Sequence, residues 1–148
     1  MSELINEGLF SSKKDDWTTP QDFFDVLNEE FHFDLDVCAS DTNHKCDEYF
    51  TKEQDGLSQP WHGFVWCNPP YGREIGKWAK AVSEYEGGGV MLMPARTDTR
   101  WFHDYIYHKA TEIRFVKGRL KFGEYKCDAP FPSMVVIFKE KTDGSKEK

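Results

Sequence analysis

Three short apolar runs constrain this chain more than anything else in it. They are "FDLDVC" at residues 33–38, "GFVWC" at 63–67 and "GVMLMP" at 89–94. Each suits a buried strand and is too short for a buried helix. Helical patterns lie around them. Thr18 and Thr19 can cap a helix with Pro20 in its first turn, and Phe23, Phe24, Val26, Leu27 and Phe31 give it one apolar side. Residues 74–86 carry Ile75, Trp78, Ala79 and Val82 at helical spacing, and Gly87, Gly88 and Gly89 stop that helix. Residues 98–109 repeat the pattern with Trp101, Phe102, Tyr105 and Ile106. "TEIRFV", "GRLKFG" and "SMVVIF" then follow as expected strands with no helix between them. Alternation of this kind predicts an α/β fold, a mostly parallel sheet with helices on both faces. The strand-rich end predicts an antiparallel C-terminal hairpin at one edge. Residues 41–56 are polar and turn-rich, with Tyr49 and Phe50 as anchors.

The 148 residues fit one domain over 15–141, with an N-terminal arm at 1–14 and a polar tail at 142–148. No run approaches the length of a membrane span, and no basic-then-apolar leader opens the chain. Cys38, Cys46, Cys67 and Cys127 form no CxxC pair and are expected as free thiols in a reducing compartment, the cytoplasm. Cys38, His44 and Cys46 match no common zinc spacing, so no metal site is expected. The net charge of −7 argues mildly against a nucleic-acid partner, but its distribution does not. Residues 1–70 hold 4 Lys/Arg against 15 Asp/Glu, a net of −11, whereas residues 71–126 hold 11 against 7, a net of +4. Screening confines the effect of distant charge to about 8–10 Å, so the basic half can still meet phosphates.

The basic half begins just after "NPPY", residues 68–71, at the exit of the second apolar run. In parallel sheets ligands bind outside the carboxyl ends of strands, which is where this tetrapeptide falls. Pro69 keeps Asn68 extended, and neither proline donates a hydrogen bond. The Asn68 side chain and the Pro69 carbonyl offer two acceptors, and Tyr71 offers a flat ring. The set fits a planar group bearing an exocyclic NH2. Both amino hydrogens can be accepted, so the nitrogen lone pair loses conjugation and becomes nucleophilic. A reactive electrophile such as a sulfonium methyl donor then needs no strong base. The plainer alternative is a Pro-Pro stop after a strand, with Tyr71 in the core.

The surrounding series decides between them. "WTTPQDFFDVL", "LDVCAS", "QDGLSQPWHGFVWCNPPYGR", "LMPARTDTRWFH" and "GRLKFG...APFPSMVVIF" occur in that order. Over about residues 16–139 the chain resembles the small phage-type DNA N6-adenine methyltransferases, the phage Dam family. The resemblance implies a Rossmann-like methyltransferase fold that uses S-adenosylmethionine. It implies catalytic roles for Asn68, Pro69, Pro70 and Tyr71, with the target adenine extruded from double-stranded DNA. Thr19 and Pro20 would help hold the methionine end of the cofactor, with Asn68 alongside. Asp36 would meet its amino group directly or through water, and Cys38, Ala39 and Ser40 would form the backbone loop. Asp55 would accept from the cofactor's adenine. The setting it implies is a phage or prophage gene expressed in a bacterial host.

The chain departs from the family pattern in two places. No GxG follows Asp36, and the acid that normally meets the ribose has no clear match, leaving Asp41 and Asn43 as candidates. With no separate recognition domain, DNA reading falls to loops and the 71–126 surface, or to a homodimer. Arg73, Lys77, Arg96 and Arg119 are candidate DNA contacts, and Phe131 is a candidate second wall for the base. Asp98 could instead pair with Arg96. The rival readings are methylation of RNA adenine or of a protein glutamine amide, and a binding module without activity.

Overall fold

The computed structural model describes residues 18–121 and 129–141, and the statements below concern those residues. The expected arm at 1–14, the tail at 142–148 and Cys127 lie outside them. Helix α1 spans Gln21–Phe31 and α2 spans Ile75–Glu84. The strands are β1 Leu35–Ala39, β2 Tyr49–Thr51, β3 Val65–Cys67, β4 Gly89–Pro94, β5 Glu112–Phe115 and β6 Ser133–Phe138. They form one six-stranded sheet in the order β2-β1-β3-β4-β6-β5. The pairs among β2, β1, β3 and β4 are parallel, and β6 runs antiparallel to both of its neighbours. The mixed α/β class and the antiparallel C-terminal pair at one edge agree with the expectation. None of the described helices is long and apolar enough to cross a membrane.

The sheet forms because its central strands are apolar on both sides. Every residue of β3, β4 and β6 is buried, as continuous apolar runs in covered strands should be. α1 lays Phe24 against Trp66, with ring centroids 5.1 Å apart and edge to face. Phe33, Phe31 and Phe64 extend that aromatic cluster. α2 buries Ile75, Trp78, Ala79 and Val82, the stripe its spacing predicts. On the far edge Arg114 grips Glu30 with two hydrogen bonds of 2.7 and 2.8 Å and ties β5 to α1.

Three elements differ from the sequence reading. β2 was not expected, because it is three residues long and only Thr51 is buried. The segment 98–109 is not a regular helix: Tyr107 N–H reaches the carbonyl of Phe102, five residues back, and Phe102–Ile106 forms a widened π turn. "GRLKFG" forms no strand over its described residues. Gly118 turns there with φ +78, and the contact to residue 129 consists of Ala129 N–H on Leu120 O and Arg119 Nη1 on Ala129 O.

One glycine locks the loop after β2 onto β1. A Cβ at Gly56 would run into the Val37 carbonyl oxygen and press on the Trp78 ring. A Cβ at Gly76 would meet only Trp101, at an ordinary 3.5 Å. Gly56→Ala is therefore expected to cost about 1–3 kcal/mol by overpacking. Gly76→Ala is expected to be neutral or to gain up to about 1 kcal/mol from helix propensity. Urea midpoints at unchanged m-value measure both.

Candidate active site

The four parallel strands end together at Ala39, Thr51, Cys67 and Pro94. The segments that leave this edge carry the residues the sequence singles out. Thr18 and Thr19 arrive there from the other side, just before α1. They do not cap the helix as expected. Pro20 occupies the cap position, and no side chain caps α1. The two hydroxyls instead bond across to the edge: Asn43 Nδ2 donates to Thr18 Oγ1 and Asn68 Nδ2 donates to Thr19 Oγ1, both at 2.9 Å. Thr19 is 3% exposed, so its bond lies out of water's reach. A helix start without its cap is a local rule broken, and such breaks cluster at functional sites.

Asn68 follows β3 directly, and its Oδ1 is buried. Pro69 is buried and Pro70 partly so. Tyr71 is 4% exposed and its hydroxyl donates to the Leu92 carbonyl of β4 at 2.9 Å. Burial pushes this phenol well above its usual value, so it stays a neutral donor. Phe131 meets the Tyr71 ring nearly edge-on at 5.5 Å, and the Arg96 guanidinium lies 5.7 Å from the Phe131 ring centre. Tyr71, Phe131 and Arg96 thus form one group. It is reached from three chain segments because β6 starts beside the end of β4, with Ser133 opposite Pro94.

Asp36 is 2% exposed in β1. Its Oδ1 accepts from Cys38 N–H at 3.2 Å and its Oδ2 from Lys45 N–H at 2.9 Å. The carboxylate therefore pins the loop that leaves its own strand. Burial raises its pKa to about 6 despite those donors and the nearby Lys45 ammonium. β1 carries an extra residue against β2 between Asp36 and Ala39, a bulge that bends the strand end. Ser40 and Asn43 then exchange backbone hydrogen bonds of 3.1 Å, closing a tight turn. This bulge and turn give the sharp exit that a GxG would otherwise provide. Of the two ribose candidates, Asp41 accepts from Tyr49 and Asn43 is bound to Thr18. Asp55 is exposed, and its backbone is left-handed at φ 57, a conformation Asp tolerates. Gly56 presses on the Val37 carbonyl, which brings the segment of Asp55 beside β1. Cys38 and Ala39 are the last residues of that strand rather than the loop expected, and Ser40 alone begins the turn, because the strand pairing with β2 continues to Ala39.

Arg73 and Lys77 line a cleft along α2, and Lys77 also pairs with Glu74 at 3.1 Å. Arg119 donates to the Ala129 carbonyl. Sequence reasoning missed Thr18 as the clamp on Asn43 and Lys45 as the residue over the start of α1. Lys45 Nζ donates to Gln21 Oε1 at 2.8 Å. Nothing local flags either residue, since both act across more than twenty positions of chain.

Comparison with known proteins gives a family. The family model described as DNA N-6-adenine-methyltransferase (Dam) matches residues 7–146. A protein of that name from Haemophilus phage HP1 is 34% identical over 142 residues, which cover 88% of this chain and 82% of the relative. Another of that name, from Escherichia phage T1, is 32% identical over 112 residues, 72% of this chain and 47% of the relative.

The raised pKa of Asp36 carries a signed prediction. In the unfolded chain the group titrates near 3.8, so between that value and about 6 the folded state holds the extra proton. Its contribution to stability is complete below about pH 4 and is lost as pH rises through 6. Relative to Asp36→Asn, the wild type should lose up to about 3 kcal/mol across that window. Paired denaturation curves at about pH 4 and 7 measure the difference.

Proposed function

This chain belongs to the DNA N-6-adenine-methyltransferase (Dam) family, and we propose that Asn68, Pro69 and Tyr71 hold its target adenine while Asp36 and Asp55 hold its methyl donor. The reaction is methylation of adenine N6 in DNA. The observation that carries the assignment of residues is the part-buried hydrogen bond from Asn68 Nδ2 to Thr19 Oγ1. An amide is planar, so anchoring its nitrogen fixes the direction of its oxygen. Thr19 is in this reading a positioning residue for the Asn68 acceptor.

Asn68 Oδ1 and the Pro69 carbonyl accept the two N6 hydrogens of the extruded adenine. This draws the lone pair out of conjugation with the ring. As N6 forms its new bond it gains positive charge, and the two carbonyl dipoles stabilise that charge. The surplus N6 proton leaves to water. Tyr71 is the wall on which the base lies, held rigid by its bond to Leu92. Stacking of this kind is worth about 1–3 kcal/mol per base. Among the described residues Phe131 covers the Tyr71 ring, so an entering base displaces it and Phe131 becomes a second wall. Pro70 stiffens the turn that carries these groups.

The donor we infer is S-adenosylmethionine, which when bound supplies an electrophilic methyl group on a sulfonium. The residues present fit it. A carboxylate at Asp36 suits a methionine amino group, directly or through water. The end of β1 at Cys38 and Ala39 and the turn at Ser40 are the backbone we assign to the methionine, and Asp55 suits an adenine amino group. The reversed strand β6 between β4 and β5 supports a Rossmann-like methyltransferase fold with helices on both faces. Double-stranded DNA is the partner, with Arg73, Lys77, Arg96 and Arg119 toward its backbone. A homodimer would supply the missing recognition surface. The phage origin of the relatives supports a phage or prophage gene acting in the bacterial cytoplasm.

Asn68→Ala should retain S-adenosylmethionine affinity within a few-fold and lower methyl transfer to DNA by about 10²-fold or more. Labelled methyl incorporation and calorimetric titration of the cofactor measure the two separately. Activity that survives the substitution would contradict the assigned role.

A further inference from the structure

A cleft of about 450 Å³ opens between the start of α2 and the segment around residues 100–105. Its lining begins at Gly72, the residue after Tyr71. Four cations face it, Arg73, Lys77, Lys80 and Arg100, against one acid, Asp104. Trp101 and Tyr105, both partly buried, supply ring surface. Lys77 and Lys80 stand three apart on α2 and so share a face, and Arg73 lies in the turn just before the helix. Gly76 and Trp101 bring the two walls together, and the cations and rings line the same cleft.

The charges in this cleft are available for exchange. Lys77 and Lys80 pair with Glu74 and Glu84 at 3.1 and 3.3 Å, but all four side chains are about half exposed or more. Exposed pairs contribute little, so an incoming phosphate replaces them readily. Cations and aromatic rings lining one cleft suit a strand of nucleic acid, which offers both phosphates and bases. An acidic peptide would use the cations and leave the rings idle.

Resting on the reading of this chain as a DNA adenine methyltransferase, we propose that this cleft is the track for the DNA strand flanking the extruded adenine. Lys80 and Arg100 bind successive phosphates beyond those met by Arg73 and Lys77. Trp101 and Tyr105 receive an adjoining nucleotide that loses its stacking partner when the target flips out.

The test is the salt dependence of binding to a labelled duplex of about 30 base pairs, read by fluorescence anisotropy across a NaCl series. The wild type is compared with Lys80→Gln/Arg100→Gln and with Lys80→Arg/Arg100→Lys. Each lost phosphate contact lowers the slope of log K against log salt by about 0.9. The glutamine variant should lose about 2 from the slope and at least about tenfold in affinity at low salt, and the charge-conserving variant should keep both. Trp101→Leu should weaken binding with the slope unchanged. If the glutamine variant binds duplex with wild-type slope and affinity, the cleft is not the track, and the family reading stands untouched. If a polyglutamate peptide displaces the duplex at equal charge concentration and Trp101→Leu has no effect, the cleft is an acidic-peptide site and the proposal falls. Absence of any wild-type binding or methylation of DNA would instead overturn the functional reading itself.

Discussion

Two threonine hydroxyls hold the working edge of this sheet together. Thr18 and Thr19 lie outside α1, and each binds the side-chain amide of an asparagine on a different loop, Asn43 after β1 and Asn68 after β3. A hydroxyl used at the cap would have stabilised α1 by about 1 kcal/mol. Here the helix forgoes that cap and relies on burial of Phe24 and Leu27. The gain is positional. Two loops that leave different strands become fixed to one short stretch, so the two halves of the proposed site share a frame. Asp36 completes it by pinning the first loop through the backbone of Cys38 and Lys45.

What the sequence disclosed follows from how local each signal is. The apolar runs at β1, β3, β4 and β6 were legible because central strands are buried on both faces and need no alternation. α1 and α2 were legible from their stripes. Candidate residues could be named where their chemistry sits in consecutive positions, as in "NPPY". The site was illegible where it depends on partners far along the chain. The Thr19–Asn68 bond spans 49 positions, and Tyr71 reaches Leu92 across 21. β2 escaped notice because three residues with one buried side chain carry no period. The widened turn at Phe102–Ile106 escaped because a π turn and an α-helix place apolar residues at nearly the same spacing.

The same geometry explains how an acidic chain can serve DNA. The acidic first half supplies the carboxylates Asp36 and Asp55 on the cofactor side. The basic residues start two positions after Tyr71 and run up α2, away from those carboxylates. Charge is thus sorted by position on the sheet edge, with NPPY at the boundary. In the proposed reading the methyl donor lies on the acidic side and the DNA strand on the basic side, with screening over about 8–10 Å between them.

The claim at the centre of this account is that Thr19 aims the Asn68 acceptor. Thr19→Val removes the hydroxyl with little change of shape, and Thr19→Ser keeps it. Measuring kcat for DNA methylation and Kd for S-adenosylmethionine on both variants separates the possible roles. The account predicts that Thr19→Val loses about tenfold or more in kcat with Kd within a few-fold of wild type, while Thr19→Ser stays near wild type in both. A Thr19→Val enzyme with weakened cofactor binding and wild-type kcat would assign the hydroxyl to the cofactor and contradict the account.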